Sequence, residues 1–574
     1  MVHQARREEK SANSSGKAAI RLPAATAAPF PQSGAAISLA AGKRGIAMFR
    51  KGAALAVCLS TVVCCPGASA AATAAATSAP AQVAFASAPA QIRDFLVQAE
   101  AADKLDDPLA RCLAFPGFPH NQWPAGMAHA QCELVYGPRI TLARAGGLLA
   151  QNKLAELDAL YAADLERHFS ESDFSEVIHR DFDDFDASYE AGRFTKEWLE
   201  KAPASAYALA ARAAYYEAMS WQARGGAWAR DTPDENLGRM GEFADLSMGL
   251  YARALKVEPR LMPAYAGLIN LGGQHSNDIL QGVALKAANG IDPACMSVMR
   301  VTMVGLEPRW GGNYPAMQRY ADSLAPYVSR RPLLALFMPW PTVDAGNTLW
   351  RNDKYAEAIA LLKPVLLQTS ASKPFKDVGW SMLETKADDW ETLQVLLQAA
   401  RFEDKDDPAY VVRSLGRLLL LRAQQPAWAT RYLKRAIEIA PDDAYAHYLL
   451  AASYLNSGRY PQAEPEYRIA MAGTDKILHR DASHELVLTL LGGDQRAKAR
   501  HEVEILNRDF PEYAQGWLDR ATVLSRTGSN DGVLDALRQF VKVADRKDPA
   551  QRAQAESLER QLKDVAHAPA QSQK

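Results

Sequence analysis

Ser370-Ala371-Ser372-Lys373 spells a serine-x-x-lysine pattern, in which a lysine amine draws the proton from an attacking serine hydroxyl. It stands just before Pro374, and neither Ser-Asp-Asn nor Lys-Thr-Gly follows it, so acyl transfer is not expected there. Asp181-Phe182-Asp183-Asp184-Phe185-Asp186 gathers carboxylates, but a calcium loop needs regularly spaced oxygens and a central glycine, and no glycine occurs here. A solvated helix face is expected instead. His168 and His179 are eleven residues apart, about three helical turns, which would set them on one face of a helix surface, where lone histidines are not usually ligands, and no carboxylate spacing makes them a ligand set. HExxH, CxxC, GxSxG, GxGxxG and P-loop strings are all absent. No catalytic residue, metal or cofactor is therefore expected.

Charge narrows the partners. Lys and Arg number 65 against 66 Asp and Glu, a formal net charge of -1. So even a balance does not attract nucleic acid or an anionic membrane.

The amino-terminal region reads as an address. Met48-Phe49-Arg50-Lys51 is basic, Gly52 to Cys65 is a short apolar run, and Ala68-Ser69-Ala70 fits a signal-peptidase site. The run is too short to span a bilayer, so no transmembrane segment is expected in the mature chain. The expectation is a signal peptide from Met48 to Ala70, with residues 1–47 disordered ahead of the true start, and a periplasmic or secreted location. Valine precedes both Cys58 and Cys64, which argues against a lipid-modified cysteine. The mature chain keeps Cys112, Cys132 and Cys295. In an oxidising compartment Cys112 and Cys132 pair naturally around a loop rich in proline and glycine that needs a staple. Cys295 is then a single, buried thiol.

These features must be carried by helices. Residues 71–90 are an Ala/Thr/Ser/Pro linker, and 91–146 form a helical segment broken by the Cys112–Cys132 loop. From about Pro138 to Lys547, apolar residues recur at i, i+3 and i+4 in blocks separated by short turns. The blocks pair with a period of about 34 residues, the length of a tetratricopeptide (TPR) repeat. The clearest repeat starts near Asp443: Leu450, Ala451 and Tyr454 share a face of its first helix, Gly458-Arg459-Tyr460 turns, and Ala463, Tyr467 and Ala470 share a face of its second. Small residues let the helices approach while the tyrosines fill the space between them. The family pattern would place a proline at 475, where Asp475 stands. The expected fold is all-α, an α-solenoid of TPR-like helical hairpins with a small disulfide-closed loop region near its start. An irregular helical-repeat domain over 147–405 precedes a TPR array over 406–548 and a capping helix and disordered tail over 549–574.

Three strings in the irregular domain are unusual: Glu197-Trp198-Leu199 followed by Pro203-Ala204-Ser205; Trp221-Gln-Ala-Arg224-Gly225-Gly226-Ala-Trp228; and Pro308-Arg309-Trp310-Gly311-Gly312. Together they resemble the bacterial domain of unknown function 4034, over about a third of the chain. That resemblance implies helical repeats, often beside TPR units, and no chemistry. Trp221, Arg224, Trp228, Arg309 and Trp310 are expected to lock two irregular hairpins together, with the glycine pairs ending helices.

What remains is the groove. The first helix of each TPR hairpin lines the concave wall, and counting back from Gly458 and Gly528 places Tyr445, Tyr448, Asn456, Gln515 and Arg526 there. Aromatic rings plus amides suit an extended peptide or a partner's terminus. The expectation is an exported TPR-type scaffold that binds a protein or peptide in the cell envelope. The alternative is a glycan-binding protein or enzyme with a Trp/Arg-lined pocket within 147–330.

Overall fold

The computed structural model describes residues 85–170, 176–226, 231–275, 277–402, 408–528 and 530–567. The expected disordered start, the signal peptide, residues 71–84 of the linker, Trp228 and the tail beyond 567 lie outside them. The described residues are all-α, with helices joined by short turns and no strand among them. The chain divides into two units, one over Asp94–Asp406 and one over Asp407–Lys574 with the described residues up to Arg93.

The carboxy-terminal unit is a stack of four helical hairpins. They pair Ala409–Leu421 with Pro426–Ile439, Ala444–Asn456 with Tyr460–Met471, Lys476–Gly492 with Arg496–Asp509, and Ala514–Arg526 with Asn530–Val543. Pro549–His567 follows and packs on the last of them. Each hairpin turns through one residue in the left-handed region: Gln424, Gly458, Asp494 and Gly528. Only two of these are glycines. The other two accept a conformation that costs an L-residue about 1 kcal/mol, because the turn between packed helices fixes it. Ala451 on the first helix of the second hairpin and Ala463, Tyr467 and Ala470 on its second are buried together. Asp475 caps the third hairpin, accepting from the backbone N–H groups of Ile477 and Leu478 at 2.8 and 3.1 Å. An N-cap carboxylate thus stands where the family pattern has proline, and it satisfies two orphan donors of the following helix. The expected linker gives way to packed chain before residue 90: Phe85 is buried and meets the Trp428 ring edge-on at 6.3 Å.

The other unit is also built of hairpins. Trp340–Arg351 pairs with Tyr355–Leu362 and Ser372–Glu384 with Asp389–Arg401, turning through Asp353 and Lys386 in the left-handed region. Gly346 and Gly379 let the two helices of each hairpin touch, because a Cβ at either would overlap Leu362 or Leu396. Earlier in this unit the long hairpin Ala206–Arg224 with Asp234–Val257 packs beside Met262–Gln274. An aromatic core of Tyr161, Phe182, Phe185, Phe194, Trp198 and Tyr207 lies at its start.

Two sequence expectations are corrected in this unit. Residues 181–186 form a turn, not a solvated helix face. Asp181 is buried and accepts the Ile140 N–H at 2.7 Å, and burial pushes its carboxyl up. Asp184 accepts from Leu142 at 3.0 Å and pairs with Arg139 at 2.7 Å. The acidic run is thus spent on orphan donors at the entry to the helix Leu142–Ala150. Nor are the two histidines a helix-surface pair: His168 is fully buried, in the last turn of Leu154–Ser170.

Candidate functional site

The inner wall of the carboxy-terminal unit is made by the first helices of consecutive hairpins. Ala444–Asn456 touches both Ala409–Leu421 and Lys476–Gly492, and the latter touches Ala514–Arg526. Taking the left-handed turn residue as origin, Tyr445, Asp481 and Gln515 occupy the same register. So do Tyr448, His484 and Leu518, one helical turn further on. Glu485 and Asp519 share the next position. The TPR turn thus repeats one face four times and lets each repeat fill it differently.

At one end of this wall Tyr445 and Tyr448 stack, with centroids 6.0 Å apart and planes 10° from parallel. Arg413 from the preceding hairpin stands 5.4 Å over the Tyr445 ring and pairs with Asp443, which caps the helix beneath. Tyr448 meets the buried Tyr467 ring edge-on at 5.8 Å. Both tyrosines are half-buried, with burial raising their hydroxyl pKa values, so their rings are held in place before any ligand arrives.

The next repeat is charged. His484 Nδ1 lies 2.6 Å from Asp519 Oδ2. Burial alone would lower the imidazole, but the Asp519 carboxylate outweighs it and lifts His484 to about 9. Burial raises the Glu485 carboxyl, against the pull of His484 and with Asp519 and Asp481 adding to the rise. Arg480 pairs with Asp481 at 2.7 Å and lies 4.7 Å over the Tyr513 ring. Gln515 donates to Asp519 at 3.2 Å. Tyrosine faces lie on one repeat and carboxylates flanking an imidazole on the next, an arrangement whose chemistry suits an apolar or aromatic side chain beside a cationic or N–H-rich group.

Asn456 and Arg526 stand exposed in the last turns of their helices, at the edge of this wall. Asn456 donates back to Ala452 at 2.7 Å. The wall residues that sequence alignment missed are Asp481, His484, Glu485 and Asp519. Counting back from Asp494, as from Gly458 and Gly528, would have found the first three.

A pH prediction follows from His484. Its folded value lies above the unfolded one of about 6.5, so its pairing stabilises fully below that value and is lost as pH rises through about 9. His484→Gln is expected to lower stability by roughly 2 kcal/mol at pH 7 and by almost nothing at pH 10. Urea melts of both proteins at the two pH values check this; an equal deficit at both contradicts it.

The unusual strings of the other unit come together in part. Trp221 meets Trp310 edge-on at 6.1 Å. Arg224 lies 5.9 Å from the Trp221 ring and Arg309 5.8 Å from that of Trp310. Arg309 also donates to the buried Glu307 at 2.6 Å, and the Trp340 indole reaches the other Glu307 oxygen at 3.1 Å. Gly225 and Gly311 take positive φ, and a Cβ on Gly312 would overlap the Leu306 carbonyl. The nearby Glu217 has both oxygens engaged, by Tyr251 at 2.9 Å and Asn270 at 2.6 Å. Lys373 of the serine-x-x-lysine string is paired with Asp377 at 2.9 Å, and Ser370 is buried.

Cys112 and Cys132 are bonded, and their loop is docked as well as stapled. Arg401 donates to the carbonyls of Cys112 at 3.0 Å and Pro116 at 3.2 Å, while Tyr136 donates to the Arg401 carbonyl at 3.1 Å. Phe118 packs edge-on against Phe375 at 5.0 Å.

No helix of the described residues is long and apolar enough to cross a membrane. No curated protein matches the chain. Among solved structures it is similar to YrrB, described as a TPR protein with an unusual peptide-binding site, at 16% identity over 38% of this chain and 91% of that one, TM-score 0.23. It is similar to the C-terminal part of a TPR repeat-containing protein from Cytophaga hutchinsonii, at 14% identity over 39% and 88%, TM-score 0.31. It is also similar to the Cut9–Hcn1 hetero-tetramer of APC/C, at 11% identity over 82% and 96%, TM-score 0.29. The tetratricopeptide repeat family model matches residues 420–475, the stretch that holds the stacked tyrosines.

Proposed function

We propose that this protein is an exported scaffold whose carboxy-terminal TPR unit holds an extended segment of a partner protein against its inner wall, in the cell envelope. The observation that carries this reading is the register: Tyr445/Asp481/Gln515 and Tyr448/His484 come from successive first helices and line one continuous face. An extended chain meets such a wall one repeat at a time, with side chains in pockets and amides on polar groups. Export rests on the basic, apolar and small-residue order of Met48 to Ala70, and the Cys112–Cys132 bond is what an oxidising compartment permits. The amino-terminal unit, with its likeness to domain of unknown function 4034, serves in this reading as a second, rigid helical body, locked in part by Trp221 and Trp310.

The test compares partner capture from envelope extract by wild type, by Tyr445→Ala/Tyr448→Ala, and by Glu438→Ala. Glu438 lies exposed on a second helix, away from the wall. Buried aromatic anchors dominate such interfaces, so the tyrosine variant is expected to weaken binding at least roughly tenfold, and the Glu438 variant to leave it unchanged. Equal capture of the same partner by all three rejects the groove.

Trp310 keeps a second reading in play, because its ring is 48% exposed beside Trp221. Such a face suits a sugar ring. Retention on a peptidoglycan column that Trp310→Ala abolishes would favour it over the scaffold.

A further inference from the structure

The amino-terminal unit hides a cluster that neither the groove nor the tryptophan strings use. Four chain segments meet in it. His168 ends the helix Leu154–Ser170, and Glu176 and His179 stand at the start and on the one turn of Val177–Arg180. Asp292 follows Asp278–Ile291, Cys295 precedes Met296–Gly305, and Arg331 precedes Pro332–Phe337. His168, Glu176, Asp292, Cys295 and Arg331 are all buried, and the His179 side chain is 11% exposed.

The distances are those of ligands around a missing centre. Cys295 Sγ lies 3.4 Å from His179 Nε2 and 3.8 Å from Glu176 Oε2, and those two are 3.5 Å apart. Donors bound tetrahedrally to zinc at its usual bond lengths stand roughly 3.3–3.7 Å from one another. In each of two triples, His168 with Glu176 and His179 and His168 with Asp292 and Cys295, one donor atom per residue lies within 4.8 Å of the others.

We propose that Glu176, His179 and Cys295, with His168 as fourth donor, form a binding site for a zinc-type divalent cation. A set of two imidazoles, a thiolate and a carboxylate selects a borderline-soft ion over calcium or magnesium. The surroundings have the form that an outer shell takes. Asp292 holds His168 Nε2 at 2.9 Å, which leaves Nδ1 as the nitrogen that would meet the ion, and the other Asp292 oxygen accepts from Ala294 at 3.0 Å. Glu176 is oriented by the Met296 and Ser297 N–H groups, each at 3.2 Å, and by the Ser297 hydroxyl at 2.8 Å. Hydrogen-bonded ligands of this kind fix the geometry of a metal site.

Arg331 faces Asp292 at 3.2 Å and Glu176 at 3.6 Å, so the carboxylates around the site are held by a buried guanidinium. Binding a divalent cation would displace the Cys295 proton to solvent. A nucleophilic role for Cys295 is disfavoured, because its side chain is fully buried, whereas reactive cysteines are partly exposed. The role assigned is structural: one ion ties together segments from residue 168 to residue 295.

The test uses the full chain, stripped with chelator and titrated with cobalt(II), then with zinc. One equivalent of cobalt is expected to bind, with the absorption of a tetrahedral ion and a sulfur-to-cobalt charge-transfer band, and zinc is expected to displace it and raise the melting temperature. Cys295→Ser should lose the charge-transfer band, which also separates this site from Cys58, Cys64 and Cys65. His179→Gln should weaken zinc binding on the order of a hundredfold. If Cys295→Ser does not fold, His179→Gln alone decides. The proposal is overturned if the stripped wild type binds no cobalt at micromolar concentration, or if both variants bind it as the wild type does.

Discussion

Trp198→Ala is expected to destabilise the amino-terminal unit by about 4 kcal/mol. Trp198 is fully buried, with ring centroids of Tyr161 at 5.2 Å, Phe194 at 5.5 Å and Phe185 at 6.5 Å. Removing the indole forfeits its transfer free energy and leaves a cavity that these rings cannot close, because each is held elsewhere: Phe182 is edge-on to Tyr161 and Tyr207 stacks on it, while Phe185 and Phe194 stack on each other. Trp198→Phe keeps most of the contact and should lose less than half as much. Urea unfolding followed by circular dichroism measures both. A loss below about 1 kcal/mol for the alanine variant would mean that the aromatic cluster is not what stabilises this unit.

Breaking the Cys112–Cys132 bond comes second. The bond spans 20 residues, and a crosslink closing such a loop stabilises by about 3 kcal/mol on the chain-entropy model. Cys112→Ser/Cys132→Ser is expected to lower stability by that order and to open the intervening stretch first. Residues 115–126 are non-helical, so without the bond their order rests mainly on Arg401, Tyr136 and the Phe118–Phe375 contact. Limited proteolysis should therefore cut the variant within this stretch well before the wild type. Cleavage at equal rates would show that docking alone holds the loop. Reducing agent added to the wild type should reproduce the variant's pattern.

These two losses and the His484 titration concern separate parts of the molecule, so their effects should add. The groove variant is different in kind. Tyr445 and Tyr448 are half-buried and held by each other, so part of any binding loss could reflect a loosened wall. The melting temperature of that variant is the control that separates the two.

The sequence by itself determined the helical class and the hairpins. Helical periodicity and a repeat length are local properties, readable wherever glycine marks the turn, as at Gly458 and Gly528. Where Gln424, Asp494, Asp353 and Lys386 take the same left-handed conformation, the mark disappears, because tertiary packing and not residue preference sets the angle. That is why Asp481, His484 and Glu485 went unread. Only the tertiary structure decided the fate of the polar residues of the amino-terminal unit. Asp181 and Asp184 look solvated until residues 139–142 fold back on them. His168 looks like a surface histidine until Asp292, 124 residues on, and Arg331, 163 residues on, arrive beside it. The physical reason is that a helix face states its own pattern, whereas a polar cluster drawn from four segments has no pattern along the chain. It exists only when the packing of apolar faces brings those segments together.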